Sequence, residues 1–107
     1  MTYDQASHIY EAIEASNNDL RFDLYRAAVR YATLRSEWHL SSQEDRREME
    51  ARRTSAHEVV IDALSVLVRN LAKDGHDVSW RLELPDDRKV IGDFAVFLSA
   101  HLGILAR

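Results

Sequence analysis

Apolar residues recur at helical spacing in the stretch from residue 52 to residue 71. Val60, Leu64, Leu67 and Leu71 follow one another at steps of four, three and four, which is the spacing of a helix that packs along its length. Further apolar positions widen this surface beyond one stripe, at Val59, Ala63, Val66 and Val68. We therefore predict a central helix that contacts neighbours on more than one side.

A second apolar stripe predicts another helix, which starts in the turn-forming residues 16–19. Its members alternate steps of four and three: Leu20, Leu24, Ala27, Tyr31, Leu34 and Trp38. Before it, residues 4–15 have a shorter amphipathic pattern with Asp4 as the candidate N-cap. The first part of the chain therefore predicts two helices.

The central helix is predicted to extend over residues 42–74. Two capping pairs are possible at its start, Ser41 with Glu44 or Ser42 with Asp45. Residues 43–53 are almost all charged, so this half must project into solvent or lie across the surface of the bundle. Gly75 supplies the positive φ that helices use just past their end.

Residues 76–89 alternate between apolar and polar positions, which is a strand period. A single strand would have no partner, so we predict an extended or single-turn connection that places three large side chains in the core: Trp80, Leu82 and Leu84. Pro85 and Asp86 are then predicted to open the last helix.

The last helix contains a stripe of small residues, Gly92, Ala95, Ser99 and Gly103. Glycine inside a helix costs about 0.5 to 1 kcal/mol relative to alanine, so Gly92 predicts close approach by a neighbour. That neighbour is either the central helix of the same chain or a symmetry-related copy.

The composition supports an all-α fold. The 107 residues are enough for one hydrophobic core, and three glycines with one proline leave few turns. We predict one four-helix bundle-like domain over residues 1–107, with a long central helix and an extended connection at 76–89.

The charge balance bears on partners. Acidic residues outnumber basic ones by 18 to 14, for a net charge of -4, and the bases form no stripe, which argues against nucleic-acid binding. The chain has no cysteine and no apolar run of membrane-spanning length. These features predict a cytoplasmic, bacterial-type protein without membrane association. The histidines lack metal-ligand spacing, and we expect neither a metal nor a cofactor.

Arg53 and His57 occupy successive positions of the central stripe, where a bundle normally has apolar residues. Carboxylates should face them, because unpaired burial is costly; the candidates are Glu58, Asp87 and Asp93. Two interpretations stay open, a structural polar layer that fixes helix register or a ligand pocket with a tunable histidine.

A second concentration of functional residue types follows at residues 80–93. Asp93 lies between apolar residues of a mostly buried helix, so we predict that it pairs with Arg53, Arg81 or Arg88. The predicted binding residues are Arg53, His57, Trp80, Arg81, Arg88 and Asp93.

Two runs of the chain, HEVVIDALSVLVRNLAKDG at 57–75 and SWRLELPDDRKVIGDFAVFLSAHLGILAR at 79–107, resemble a small bacterial family of unknown function. The shared pattern is a His, a Leu-rich helix and a Gly, then Trp-Arg, Asp-Arg, Ile-Gly-Asp-Phe and a Gly-Ile-x-Ala-Arg-like ending. The chain departs from that pattern at residues 95–97, Ala-Val-Phe, where a Cys is expected. The resemblance implies an all-helical fold and no particular activity.

Arg52 and His57 are separated by four residues and resemble the Arg-x4-His motif of HEPN ribonucleases, which are small, usually dimeric helical proteins. The resemblance implies that Arg52 contacts a phosphate and that His57 is the general base for RNA cleavage by the neighbouring 2′-hydroxyl. Arg53 departs from the motif, which normally has a polar residue such as Asn after its Arg.

Our functional hypothesis is a small helical binding or regulatory module that forms a homodimer and has a polar Arg/His/Asp cluster in its core. The charged half-helix at 43–53 and the stripe of the second helix suggest a surface for a second copy or a protein partner. The alternative, from another class, is a metal-independent ribonuclease that uses Arg52 and His57.

Overall fold

The computed structural model describes the backbone of residues 1–105 and the side chains of residues 1–103. Within that part of the chain the elements are all helical: α1 (Tyr3–Ala15), α2 (Arg21–Leu40), α3 (Gln43–Lys73), a 3-10 helix (Ser79–Glu83) and α4 (Arg88–Leu105). The predicted all-α bundle is confirmed. The last two residues of the family-like ending, Ala106 and Arg107, lie outside the described residues.

Side-chain caps determine where three of the helices begin. Thr2, rather than the predicted Asp4, caps α1, because its hydroxyl accepts from the amide of Gln5 while the Gln5 side chain accepts from the amide of Thr2. Ser42 caps α3 by accepting from the amide of Asp45, which selects one of the two predicted pairs. The carboxylate of Asp87 accepts from two amides at the start of α4, so this helix begins later than the predicted Pro85-Asp86 start.

A left-handed glycine ends α3. Gly75 has a φ of 84°, and its amide donates to the carbonyl of Ala72 while that of His76 donates to the carbonyl of Leu71. This is the Schellman arrangement, which satisfies carbonyls that the helix itself leaves unpaired. The predicted end of the long helix is confirmed.

Helix α2 is central, because its backbone packs closely against both α3 and α4. The predicted stripe of α3 is buried, but this long helix lies on one side of α2 rather than at the centre. Leu24, Ala27 and Tyr31 of the α2 stripe are also buried within the chain. These three positions therefore pack within the chain, and that the α2 stripe offers a surface to a partner stays a prediction.

The connection between α3 and α4 places two of its three large side chains in the core. Trp80 and Leu84 are buried, whereas Leu82 is 87% exposed. A 3-10 helix has three residues per turn, so residues 80 and 82 point in different directions. The prediction that all three side chains enter the core is wrong for Leu82.

An aromatic and charged cluster joins α1 to α2. The hydroxyl of Tyr10 donates to Glu14 Oε1 at 3.1 Å, and Arg21 Nε lies 2.5 Å from Glu14 Oε2. The ring of Tyr25 packs 5.8 Å from that of Tyr10. Burial raises the pKa of Tyr25 above its ordinary value of 10.0, and the nearby Glu14 carboxylate raises it further.

This raised pKa predicts a loss of stability in alkali. The folded chain binds the proton of Tyr25 more tightly than the unfolded chain does. The contribution of this proton to the free energy of unfolding is therefore complete below pH 10.0 and is lost as the pH rises above that value. The hydroxyl of Tyr25 has no hydrogen-bond partner among the described residues, so Tyr25→Phe keeps the packing. We expect the variant to unfold at higher pH in an alkaline circular-dichroism titration.

The matched control is Tyr3→Phe, because the Tyr3 side chain is 69% exposed. It should unfold at the same pH as the parent protein. An unchanged alkaline midpoint for Tyr25→Phe would contradict this role of the buried tyrosine.

Candidate functional site

The carboxylate of Glu50 connects the first half of α3 to the start of α4. Its Oε2 accepts a hydrogen bond from Arg53 Nη1 at 3.1 Å, and its Oε1 accepts one from Arg88 Nη1 at 3.1 Å. Arg88 also donates to Thr54 Oγ1 at 2.6 Å. Two of the predicted site residues, Arg53 and Arg88, thus share one acid that the sequence did not single out.

Asp86 makes contacts in the connection between α3 and α4, through its carboxylate and through its backbone carbonyl. Arg81 donates to the carboxylate of Asp86 and to the backbone carbonyl of Leu84. His57 Nε2 lies 3.0 Å from the backbone carbonyl of Asp86. Because a carbonyl can only accept, this nitrogen carries the proton. The His57 contact thus holds Asp86 against α3, while the Arg81 contacts stay within the connection.

The predicted polar cluster therefore forms at the surface edge of α3 rather than in the core. No charged or polar side chain is among the buried residues of the described chain. The predicted carboxylate partners of Arg53 and His57 were also wrong, since Glu50 and the backbone of Asp86 take those places. Trp80, another predicted binding residue, is buried and belongs to the core. The contacts of Arg53, His57 and Arg88 are made within the chain, and those of His57 and Arg88 attach the connection and the start of α4 to α3.

Asp93 is separate from this cluster. It pairs with Arg35 Nη1 at 3.6 Å and with the amino group of Met1 at 3.2 Å, not with Arg53, Arg81 or Arg88 as predicted. The reason is the rotation of α4, which presents Asp93 to α2 and to the start of α1.

Gly92 is buried directly before Asp93, and the side chain of Arg35 lies against it. A Cβ added to Gly92 would collide with Nη1 and lie 2.8 Å from Cζ of Arg35. The neighbour that requires this glycine is thus a side chain of α2, and neither of the two predicted neighbours. Gly92 gives the Arg35 guanidinium its place beside Asp93.

Trp38 explains why arginine occupies the stripe of α3. The guanidinium groups of Arg46 and Arg53 lie over its ring, with Cζ 4.4 Å and 4.2 Å from the ring centroid. These arginines continue the stripe upstream of Val60 at heptad spacing, and a flat cation can cover an aromatic face while its polar edge stays near water. The heptad spacing is the signal by which sequence reasoning could have found this contact. The contact of Arg46 and Arg53 with Trp38 also shows that the charged half of α3 lies across the surface of the bundle.

The Arg-x4-His pair is not arranged as one site within a single chain. Arg52 is exposed, and positions five apart on an α-helix differ in direction by about 140°. The ring of His57 packs edge-on against Tyr31 at 5.7 Å. The ribonuclease alternative needs two copies to bring such residues together, and it stays a prediction.

An open groove of about 490 Å³ runs between α2 and α3. We call it the α2/α3 groove. It is lined by Leu20, Asp23, Arg26, Ala27 and Arg30 of α2 and by Val59, Asp62, Ala63 and Val66 of α3. Val59 and Val66 are 50% and 42% exposed, so the second apolar surface predicted for this helix is present and open.

No three His, Cys, Asp or Glu side chains of the described residues are placed to share a metal ion. Among the same residues, no helix combines the length and the apolar character needed to cross a membrane. Comparisons with protein-family models, curated proteins and solved structures found no match. The resemblance to a bacterial family therefore stays a prediction.

The arginine contacts on Trp38 predict local stabilisation of the charged half of α3. Trp38→Ala removes two cation–π contacts of about 0.5 to 1 kcal/mol each. We expect amide hydrogen exchange to become faster across residues 43–53, with little change at Leu64 and Leu67.

Trp80→Ala is the comparison, because this ring is 4% exposed and its loss should cost about 3 to 5 kcal/mol. Exchange should then become faster throughout the core. A uniform change in Trp38→Ala, or none, would contradict the local role of Trp38.

Proposed function

We propose that the protein is a small helical binding module that works as a homodimer, paired through the α2/α3 groove. The observation that supports this is the exposure of Val59 and Val66 on the α3 wall of a groove that also contains the small residues Ala27 and Ala63. The polar residues that the sequence singled out make contacts within the chain, so they provide less support for a catalytic centre.

The shape of the groove favours a helix as its occupant. Ala27 of α2 and Ala63 of α3 lie in it, and side chains this small allow another helix to approach closely. The two valines then supply apolar surface along the α3 wall of the groove. Burying each of them would contribute about 1.5 kcal/mol.

The spacing of the valines is compatible with a two-fold axis. Val59 and Val66 are equally far along α3 from the point between Asp62 and Ala63. Two antiparallel copies of α3 that cross at this point would pair Val59 of one copy with Val66 of the other. A two-fold interface requires this kind of self-complementarity.

The charges of the groove are also self-complementary. Asp23 pairs with Arg26 within α2, whereas Arg30 and Asp62 take part in no ion pair among the described residues. In the dimer, Arg30 of one copy faces Asp62 of the other, and the symmetry makes this pair twice. Opposite charges placed in this way select the register of the contact.

The test is the mass in solution over a range of concentrations, by sedimentation velocity. We expect a dimer. Val66→Asp should weaken it by about a hundredfold, because two copies each lose the burial of a valine. Arg30→Asp and Asp62→Arg should each weaken the dimer through like charges, and the double variant should restore it.

Leu82→Asp is the matched control, since Leu82 is 87% exposed and lies outside the groove. It should leave the dimer intact. A monomer at every concentration would overturn the proposal, as would a dimer that is equally sensitive to Leu82→Asp and Val66→Asp.

A further inference from the structure

A second open cleft, of about 620 Å³, lies between the start of α1, the second half of α2 and α4. We call it the α1/α2/α4 cleft. Its lining combines one ion pair, Arg35 with Asp93, with apolar surface from Tyr3, Val96, Phe97 and Ala100. It shares no lining residue with the α2/α3 groove, so it is a separate surface.

Arg35 is held in this cleft with its donors unused. Its side chain is only 24% exposed, and within the described residues it makes no hydrogen bond. The nearest carboxylate oxygen, Asp93 Oδ1, is 3.6 Å away, which is beyond hydrogen-bonding reach. Asp93 Oδ2 already accepts from the amino group of Met1. A guanidinium presents five N–H groups in a rigid plane, so Arg35 can receive another acceptor.

The position of Arg35 is built into the fold. Its guanidinium lies against the backbone of Gly92, where any larger residue would displace it. Glycine inside a helix costs about 0.5 to 1 kcal/mol relative to alanine. The chain therefore places the guanidinium at the cleft at some cost in helix stability.

The apolar part of the lining fits a flat apolar group. The rings of Tyr3 and Phe97 meet edge to face at 5.3 Å, and Phe97 stacks on His101 at 5.6 Å. Tyr3 is 69% exposed and Val96 is 49% exposed, so apolar surface is open to a ligand. Aromatic groups prefer this kind of edge or offset contact.

We propose that the α1/α2/α4 cleft binds a small aromatic carboxylate. Two N–H groups of Arg35 donate to the carboxylate oxygens, since the planar fork of arginine matches this geometry. The aromatic ring of the ligand packs against Tyr3 and Phe97. The site is independent of the proposed dimer, because none of its residues lies in the α2/α3 groove.

The experiment is a titration of the labelled full chain with phenylacetate, followed by amide shifts in ¹H–¹⁵N spectra. We expect saturable shifts at residues 3, 35, 93 and 97. Phenylacetamide has the same ring without the charge, and it should bind about tenfold more weakly because it loses the charge-assisted hydrogen bonds.

Gly92→Ala tests the role of the glycine. The added methyl group displaces only the flexible end of Arg35, and alanine favours the helix, so the variant should fold and lose phenylacetate affinity by about tenfold. Arg35→Gln should do the same. Gly103→Ala is the matched control on α4, because a Cβ there has nothing within 4 Å, and it should bind as the parent protein does.

Three results would overturn the proposal. One is equal affinity for phenylacetate and phenylacetamide, and another is unchanged affinity in both Gly92→Ala and Arg35→Gln. The third is the absence of saturable shifts at the cleft. The mass in solution is measured separately, so failure here and failure of the dimer are distinguishable.

Discussion

The close packing of α2 against two helices at once is the constraint on which the structure depends. Three alanines of α2, at positions 27, 28 and 32, are buried, and small side chains allow helix backbones to approach. Beside Ala28, Leu64 of α3 and Phe94 of α4 line the same interior space. Because α2 packs against both α3 and α4, the contact between the first half of α3 and the start of α4, Glu50 with Arg88, can be polar and lie at the surface.

These polar contacts stabilise the part of α3 that extends beyond the hydrophobic core. The stripe of α3 continues beyond the core, where burial is incomplete and a large apolar residue would stay partly in water. Arg46 and Arg53 cover the ring of Trp38 there, and Glu50 joins Arg53 to Arg88. Arginine suits these positions because its flat group is weakly hydrated on its faces and well hydrated at its edge.

The same helix presents two open surfaces. Arg30 lines the α2/α3 groove and Arg35 lines the α1/α2/α4 cleft, and five residues on a helix separate them by about 140°. The central position of α2 thus separates the groove proposed for pairing from the cleft proposed for a ligand. The sequence singled out Val59 and Val66 of the groove and Asp93 of the cleft, but neither complete surface, since their residues come from two or three helices.

The sequence by itself determined the four long helices, most of their bounds and the buried stripes of α2 and α3. These features follow from local hydrogen bonds, caps and periodicity, which neighbouring residues set. Only the tertiary structure decided that α2 is central, that Leu82 faces water and that Asp93 meets Arg35. Those outcomes depend on how each helix is rotated about its axis and on which helices meet, and residues far apart in the chain set both.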